Sequence, residues 1–271
     1  MKRLLAMTAL IAFTQTVSAL AADCTAEVQT IEKGKLVVAI YDYPPFTVLS
    51  GNEASGIDVD IVKRAAKENC LEVVTLPLDP AATIQAVVSG KSDLAIGSWN
   101  RTEKRSQVVS MSAPIYLDPM GIFSKDGADT VESLVGKNVG TVQGYLWVPE
   151  LQKLLGEKLK LYPTPVALAQ DLDAGRIDIG VDGYNSGVYL QKTQNAYKGI
   201  TIVISKPDER VQASVQPAQA GVIYTKGNET LGAALDKSIN AQHEDGSIVK
   251  SLEAAGFDKA VADVGEPRFV K

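Results

Sequence analysis

Few residues of this chain have the type and spacing for covalent chemistry. The only histidine, His243, lies in the charged run QHEDG, so neither a histidine-based triad nor a typical zinc centre can be assembled. Glu103 and Glu150 are available as acids, but neither has a partner that would tune its pKa. The two cysteines, Cys24 and Cys70, make a poor metal site. What remains is non-covalent. One candidate loop runs from Ser98 through Trp99 and Asn100 to Arg105, and a second runs from Asp182 to Asn185. Together they carry cationic, anionic, amide and aromatic groups.

The elements that position these loops are legible because the chain repeats itself. SGKSDLAIG at Ser89–Gly97 returns as AGRIDIGVD at Ala174–Asp182, with Gly90, Asp93 and Ile96 matching Gly175, Asp178 and Val181 at a constant offset of 85 residues. Asp79-Pro80 and Thr164-Pro165 keep that offset. Each supplies an N-cap oxygen followed by a proline preset for the first helical turn. Each copy then predicts a helix, a glycine in the left-handed region and a buried strand. The strand runs after Gly34-Lys35 and Gly136-Lys137 open the two units. Such alternation predicts mostly parallel sheets, with ligands bound where loops leave the carboxyl ends of strands.

Residues 1–22 read as a secretory signal peptide, with Lys2 and Arg3, an apolar run from Leu4 to Phe13, and small residues at Ser18, Ala19, Ala21 and Ala22. The apolar run is too short for a membrane span. Without those two cations, 25 Lys and Arg face 32 Asp and Glu, a net charge of −7 that argues against nucleic acid as a partner. In an exported chain the even cysteine pair predicts a Cys24–Cys70 disulfide. Asp23, directly before Cys24, argues against a lipid anchor there.

Between the candidate loops the chain reads as ordinary α/β material. Asp42-Tyr43-Pro44-Pro45-Phe46 follows the first strand, and its two prolines forbid further pairing, which leaves a rigid loop displaying Tyr43 and Phe46. Ile61, Val62, Ala65 and Ala66 share one face of an amphipathic helix. Thr102 caps a short helix that aims Arg105 back at the strand ends. Gly121–Lys125 and Gly221–Lys226 echo each other and predict a pair of crossing strands that act as a hinge. Two helices, over Leu231–Gln242 and Ile248–Ala255, are separated by Gly246 and capped by Ser247. They are expected to pack on the first lobe.

Tyr43-Pro44-Pro45-Phe46, Gly56-Ile57-Asp58-Val59-Asp60, Ser89-Gly90-Lys91-Ser92-Asp93, Thr102-Glu103-Lys104-Arg105, Ala174–Asp178 and Asp245-Gly246-Ser247-Ile248, in that order and spacing, resemble the polar-amino-acid branch of the bacterial extracellular solute-binding proteins of ABC importers. The resemblance covers nearly the whole mature chain. It implies an α/β fold of type II, a two-lobed clamshell whose lobes are mostly parallel sheets flanked by helices and joined by two hinge strands. The implied division is lobe 1 over 23–122, lobe 2 over 123–221 and a return to lobe 1 over 222–271. It also implies a periplasmic monomer without cofactor that delivers one solute to a membrane permease.

By the same resemblance Arg105 grips an α-carboxylate, for which a planar guanidinium fork is suited. Asp182 takes the α-ammonium, Asn100 and the backbone near Ser98 supply hydrogen bonds, and Tyr43 packs on the ligand side chain. A fixed cation and a fixed anion across a cleft recognise a zwitterion. Gly144-Tyr145-Leu146-Trp147 departs from the family pattern, which has two small hydroxyl residues after the glycine. That puts an ordinary α-amino acid in doubt, or leaves the carboxylate to backbone amides at the next helix start. Trp99, Tyr145 and Trp147 can wall an apolar or delocalised cationic group. Whether Asp42 reaches the ligand stays open. The rival reading is a cyclohexadienyl-type dehydratase, which needs an acid beside Asp182 where this chain has Gly183, Tyr184 and Asn185. A ligand-presenting subunit of a sensor uses the same cleft.

Overall fold

The computed structural model describes residues 28–51 and 53–270. Residues 1–22, read above as a signal peptide, and Cys24 lie outside the described residues. Cys70, just past the first helix, is not a free thiol. In chain order the elements are β1 (Lys35–Ile40), β2 (Val48–Ser50), β3 (Glu53–Ser55), α1 (Ile57–Glu68), β4 (Glu72–Pro77), α2 (Pro80–Val88), β5 (Leu94–Asn100), α3 (Glu103–Val108), β6 (Ser110–Met111), β7 (Tyr116–Asp118) and β8 (Met120–Ser124). There follow β9 (Val139–Val142), α4 (Val148–Leu155), β10 (Leu159–Tyr162), α5 (Pro165–Asp173), β11 (Ile179–Gly183), α6 (Tyr184–Gln194), β12 (Thr201–Ile204), α7 (Gln212–Val215), β13 (Ala218–Tyr224), α8 (Glu229–Glu244) and α9 (Ser247–Ala254).

Two sheets carry these elements. The first has the order β4-β1-β5-β13-β6, with β7 also on β13, and the second the order β10-β9-β11-β8-β12. β4, β1 and β5 run parallel, as do β10, β9 and β11. β5 and β11, the repeated strands, are buried along their whole length, which is why both read as unbroken apolar runs rather than alternating ones. The repeat is therefore one half-sheet built twice.

Its markers are structural. Gly90 and Gly175 both take φ +69 just past their helices, where a side chain would be strained. Asp93 accepts hydrogen bonds from the amides of Ile31 and Val37, both at 2.7 Å, and Asp178 accepts one from Asn138 at 2.8 Å, so each acid ties the start of its own unit to the repeated strand. Thr164 caps α5 through the amide of Ala167, whereas Asp79 makes no side-chain cap and α2 starts on its proline alone. Gly246, not Ser247, is the N-cap of α9, because Asp245 takes the Ser247 amide and the Ser247 hydroxyl turns back to the carbonyl of Gln242.

The echoed segments do not form a crossing pair. β8 and β13 sit in different sheets, each the antiparallel strand beside its repeated strand, β8 on β11 and β13 on β5. They look alike because they occupy the same place in two half-sheets. The chain leaves the first sheet at Pro119, between β7 and β8, and returns through residues 205–217, between β12 and β13. α8 and α9 come back onto α1, where Gln242 donates to the carbonyl of Ile61.

Among the described glycines, the one leading into α1 has main chain closest to where a side chain would begin. Gly56 has φ +115, and a Cβ there would lie 2.6 Å from the carbonyl oxygen of Phe46 and 2.7 Å from that of Pro45. Both obstacles are main chain and cannot rotate away. Gly56→Ala is expected to cost about 2 to 4 kcal/mol from strain and overlap together. A drop of about 5 to 15 °C in the thermal midpoint checks it, and an unchanged midpoint contradicts it.

Candidate functional site

Parallel strands end in loops, and four such ends meet between the two sheets. Tyr43 follows β1, Ser98 to Arg105 close β5 and open α3, Gly144 to Trp147 follow β9, and Asp182 closes β11. Side chains from the first three of these ends line one cleft of about 250 Å³ of atom-free space, counted out to its mouth, and Asp182 stands behind its wall, bonded to the Tyr43 hydroxyl. Direct bonds join its two sides. The Tyr43 hydroxyl donates to Asp182 at 3.3 Å, the Asn185 amide to the carbonyl of Leu117 at 3.0 Å, and the Ser186 hydroxyl to the carbonyl of Pro44 at 2.5 Å.

Arg105 is the cation of the cleft. Thr102 caps α3 through the Arg105 amide at 3.0 Å, which fixes where the side chain starts. The buried guanidinium lies 4.8 Å over the Trp99 ring and donates to the carbonyls of Asn100 at 2.6 Å and Gly144 at 3.0 Å. These bonds use two of its five N–H groups and leave three for a ligand carboxylate. Burial, only partly offset by Tyr41 and Tyr145, lowers its pKa to about 10. It remains charged at neutral pH.

Asp182 is the facing anion, 2% exposed. Its carboxylate accepts from the Gly183 amide at 2.7 Å and from Tyr43, yet burial outweighs both bonds and raises its pKa to about 7. A carboxylate that expensive to ionise in the empty cleft gains from the arrival of an ammonium group.

A second acid stands beside it that the sequence reading missed. Asp118, at the end of β7, is 4% exposed, accepts from the Ser98 hydroxyl at 3.1 Å through Oδ2, and has no partner for Oδ1 among the described residues. Its pKa rises to about 8, first through burial and then through the nearby charges of Asp182 and Asp58. The signal was present as a lone carboxylate in the apolar run APIYLDPMGIF. Trp99 Nε1 and Asn100 Oδ1, also in the cleft wall, likewise lack partners among the described residues.

The other expected residues divide. Tyr43, Trp99, Asn100, Tyr145 and Leu146 line the cleft, joined by Tyr41 and Trp147. Trp147 both packs and lines, its indole N–H donating to Thr141 at 2.7 Å and its ring standing edge-on to Tyr145. Gly144 contributes its carbonyl to Arg105. Phe46 is not in the cleft. It is fully buried behind Tyr43, whose ring it stacks on at 5.8 Å, and packs on Tyr116 at 4.6 Å and Phe257 at 5.9 Å. Ser98 lines the cleft with its hydroxyl, but its amide is already taken, with that of Gly97, by the carboxylate of Asp58. Asp42 faces away and accepts from the amide of Leu49. Of the other acids weighed, Glu150 accepts from the Gln212 amide and Glu103 is exposed at the start of α3. No group of histidine, cysteine or acidic side chains among the described residues is placed to hold a metal ion.

Known proteins share this arrangement. The chain is 30% identical to the histidine-binding periplasmic protein of Escherichia coli (strain K12) over 228 residues, covering 77% of this chain and 82% of that protein. It is 29% identical to a probable histidine-binding protein of Campylobacter jejuni over 108 residues, only 42% of that protein's length. Among solved structures, an amino acid ABC transporter substrate-binding protein from Streptococcus pneumoniae bound to L-arginine superposes with a TM-score of 0.73 at 27% identity, over 84% of this chain and 96% of that one. The two sheets, their flanking helices and the cleft between them are thus the two-lobed type II clamshell. With a family match that runs unbroken over residues 36–255, the chain belongs to the bacterial extracellular solute-binding proteins, family 3.

Proposed function

We propose that the chain is the solute-capturing component of an ABC importer, taking a small amino acid or amino-acid-like zwitterion from the periplasm and presenting it to a membrane permease. The observation that carries this reading is one buried cation and one buried anion at the ends of equivalent strands of two sheets, Arg105 on α3 just after β5 and Asp182 near the end of β11. Arg105 takes the carboxylate with its free N–H groups and Asp182 the ammonium. The aromatic wall of Tyr41, Tyr43, Trp99 and Tyr145 excludes water, which strengthens both contacts. The relatives named for histidine and the arginine-bound neighbour support this class of ligand. The bonds that cross the cleft define a closed form, and opening about the crossings at Pro119 and residues 205–217 admits the solute.

Thermal unfolding against a panel of amino acids, opines and polyamines tests the reading. A ligand at 100 times its Kd adds about 2.7 kcal/mol. For a chain of this size that is about 5 to 10 °C. A panel without any shift would sink the proposal.

One observation favours a second reading, a dehydratase on the same fold. The Asp118 carboxyl lies 3.1 Å from where a Gly183 side chain would begin, so an acid does stand beside Asp182, though not from the neighbouring sequence. Recovery of the bound ligand unchanged supports capture, and its conversion with loss of water supports the enzyme.

A further inference from the structure

Resting on the amino-acid reading above, we propose that Asp118 makes the cleft selective for α-amino acids that carry a second cationic nitrogen. Arg105 and Asp182 are together neutral and match a zwitterion. Asp118 adds a second carboxyl group to the same space, and when it is ionised the site carries one negative charge more than a zwitterion answers.

Geometry sets where that charge acts. Asp118 enters from β7, at the crossing between the sheets, and places both carboxylate oxygens within 3.3 Å of the Gly183 Cβ position, on the Asp182 side of the cleft. Oδ2 is held by Ser98, and Oδ1 is buried without a partner among the described residues. A buried acceptor left unpaired costs about 1 to 3 kcal/mol and more when charged, so it is retained where something else completes it. None of the described cations completes it. Arg105 bonds the carbonyls of Asn100 and Gly144 and lies over Trp99, and none of its remaining N–H groups reaches Asp118. An N–H-bearing cation on the ligand side chain satisfies both needs at once, giving Oδ1 a donor and the cleft its missing charge. The electron-rich faces of Tyr41 and Tyr145 favour the same kind of group. Burial that keeps Asp118 neutral in the empty cleft has a further effect: a neutral ligand side chain leaves it protonated, and a cationic one draws the proton off.

Calorimetric titration with matched pairs tests this, using ornithine against norvaline, lysine against norleucine, and arginine against citrulline. In the wild-type protein at least one cationic member is expected to bind about 30-fold or more tightly than its neutral partner, the scale of a desolvated charge pair. In Asp118→Asn, which keeps the shape, that ratio should fall to about 3-fold or less. Wild-type protein that binds the neutral members as well as the cationic ones overturns the inference and leaves the amino-acid reading standing. So does a variant that folds and keeps the full preference. Absence of binding to all six overturns the inference, and the amino-acid reading falls with it only if the wider panel also gives no thermal shift. Because the wild-type ratios stand alone, a variant that fails to fold does not protect the proposal.

Discussion

Asp182→Ala is expected to weaken ligand binding by about 30-fold to several thousand-fold, and Arg105→Ala by a similar factor. Removing one member of a desolvated charge-assisted contact costs about 2 to 5 kcal/mol, because the ligand charge it faced stays buried and unanswered. The two variants differ in the empty protein. Asp182 is ionised at a cost there, so its loss should leave the thermal midpoint unchanged or raise it. Arg105 bonds the carbonyl of Asn100 on its own side and that of Gly144 across the cleft, so its loss should loosen the closed form. Comparing affinities also reads out the ligand. A zwitterion loses affinity to both variants, a ligand without an ammonium ignores Asp182→Ala, and one without a carboxylate ignores Arg105→Ala. Near wild-type affinity in both would remove these residues from the site.

Lowering the pH from 8 to 5 should weaken binding of a zwitterion by about 100-fold. Asp182 titrates near 7 in the empty cleft and must be ionised to hold an ammonium, so each unit below 7 costs about tenfold in apparent affinity. The ligand's own ammonium stays charged throughout this range. The same groups predict the stability of the ligand-free protein. Burial raises Asp182 to about 7 and Asp118 to about 8 from a usual carboxylate value of 3.8, so between these limits the folded chain holds more protons than the unfolded chain. Stability therefore falls as pH rises from about 4 to about 8. Ligand should flatten that fall, since it favours the ionised carboxylate. Calorimetry and melting curves at a series of pH values check both trends, and an affinity constant from pH 5 to 8 contradicts the first.

What the sequence made legible is what local backbone chemistry dictates. Pro80 and Pro165 start helices, Gly90 and Gly175 end them, and Thr102 aims Arg105, each through residues a few positions apart. The repeat brought the stretches after β5 and β11 into view, because equivalent strands end in equivalent places, and the family resemblance singled out Arg105 and Asp182 within them. The misses depend on contacts that no short stretch encodes. Phe46 and Tyr43 are chemically alike and three residues apart, and only the packing of Phe46 on Tyr116 and Phe257 decides which one faces the cleft. The Ser98 amide is lost to Asp58, which arrives from α1. Asp118 lies outside the repeat altogether, and reaches the site only because the chain changes sheets at the next residue. The likeness of β8 and β13 was real, but its cause is equivalent position in two sheets rather than pairing.

The most direct measurement uses the chain's own tryptophans. Both of them, Trp99 and Trp147, line the cleft. Titrating the protein with the amino acid that raises its melting temperature most should change tryptophan emission saturably, with one ligand per chain. The change should be lost in Asp182→Ala at the same ligand concentration. Emission that stays constant while the ligand raises the melting temperature would place the site elsewhere, and contradict the cleft as the seat of function.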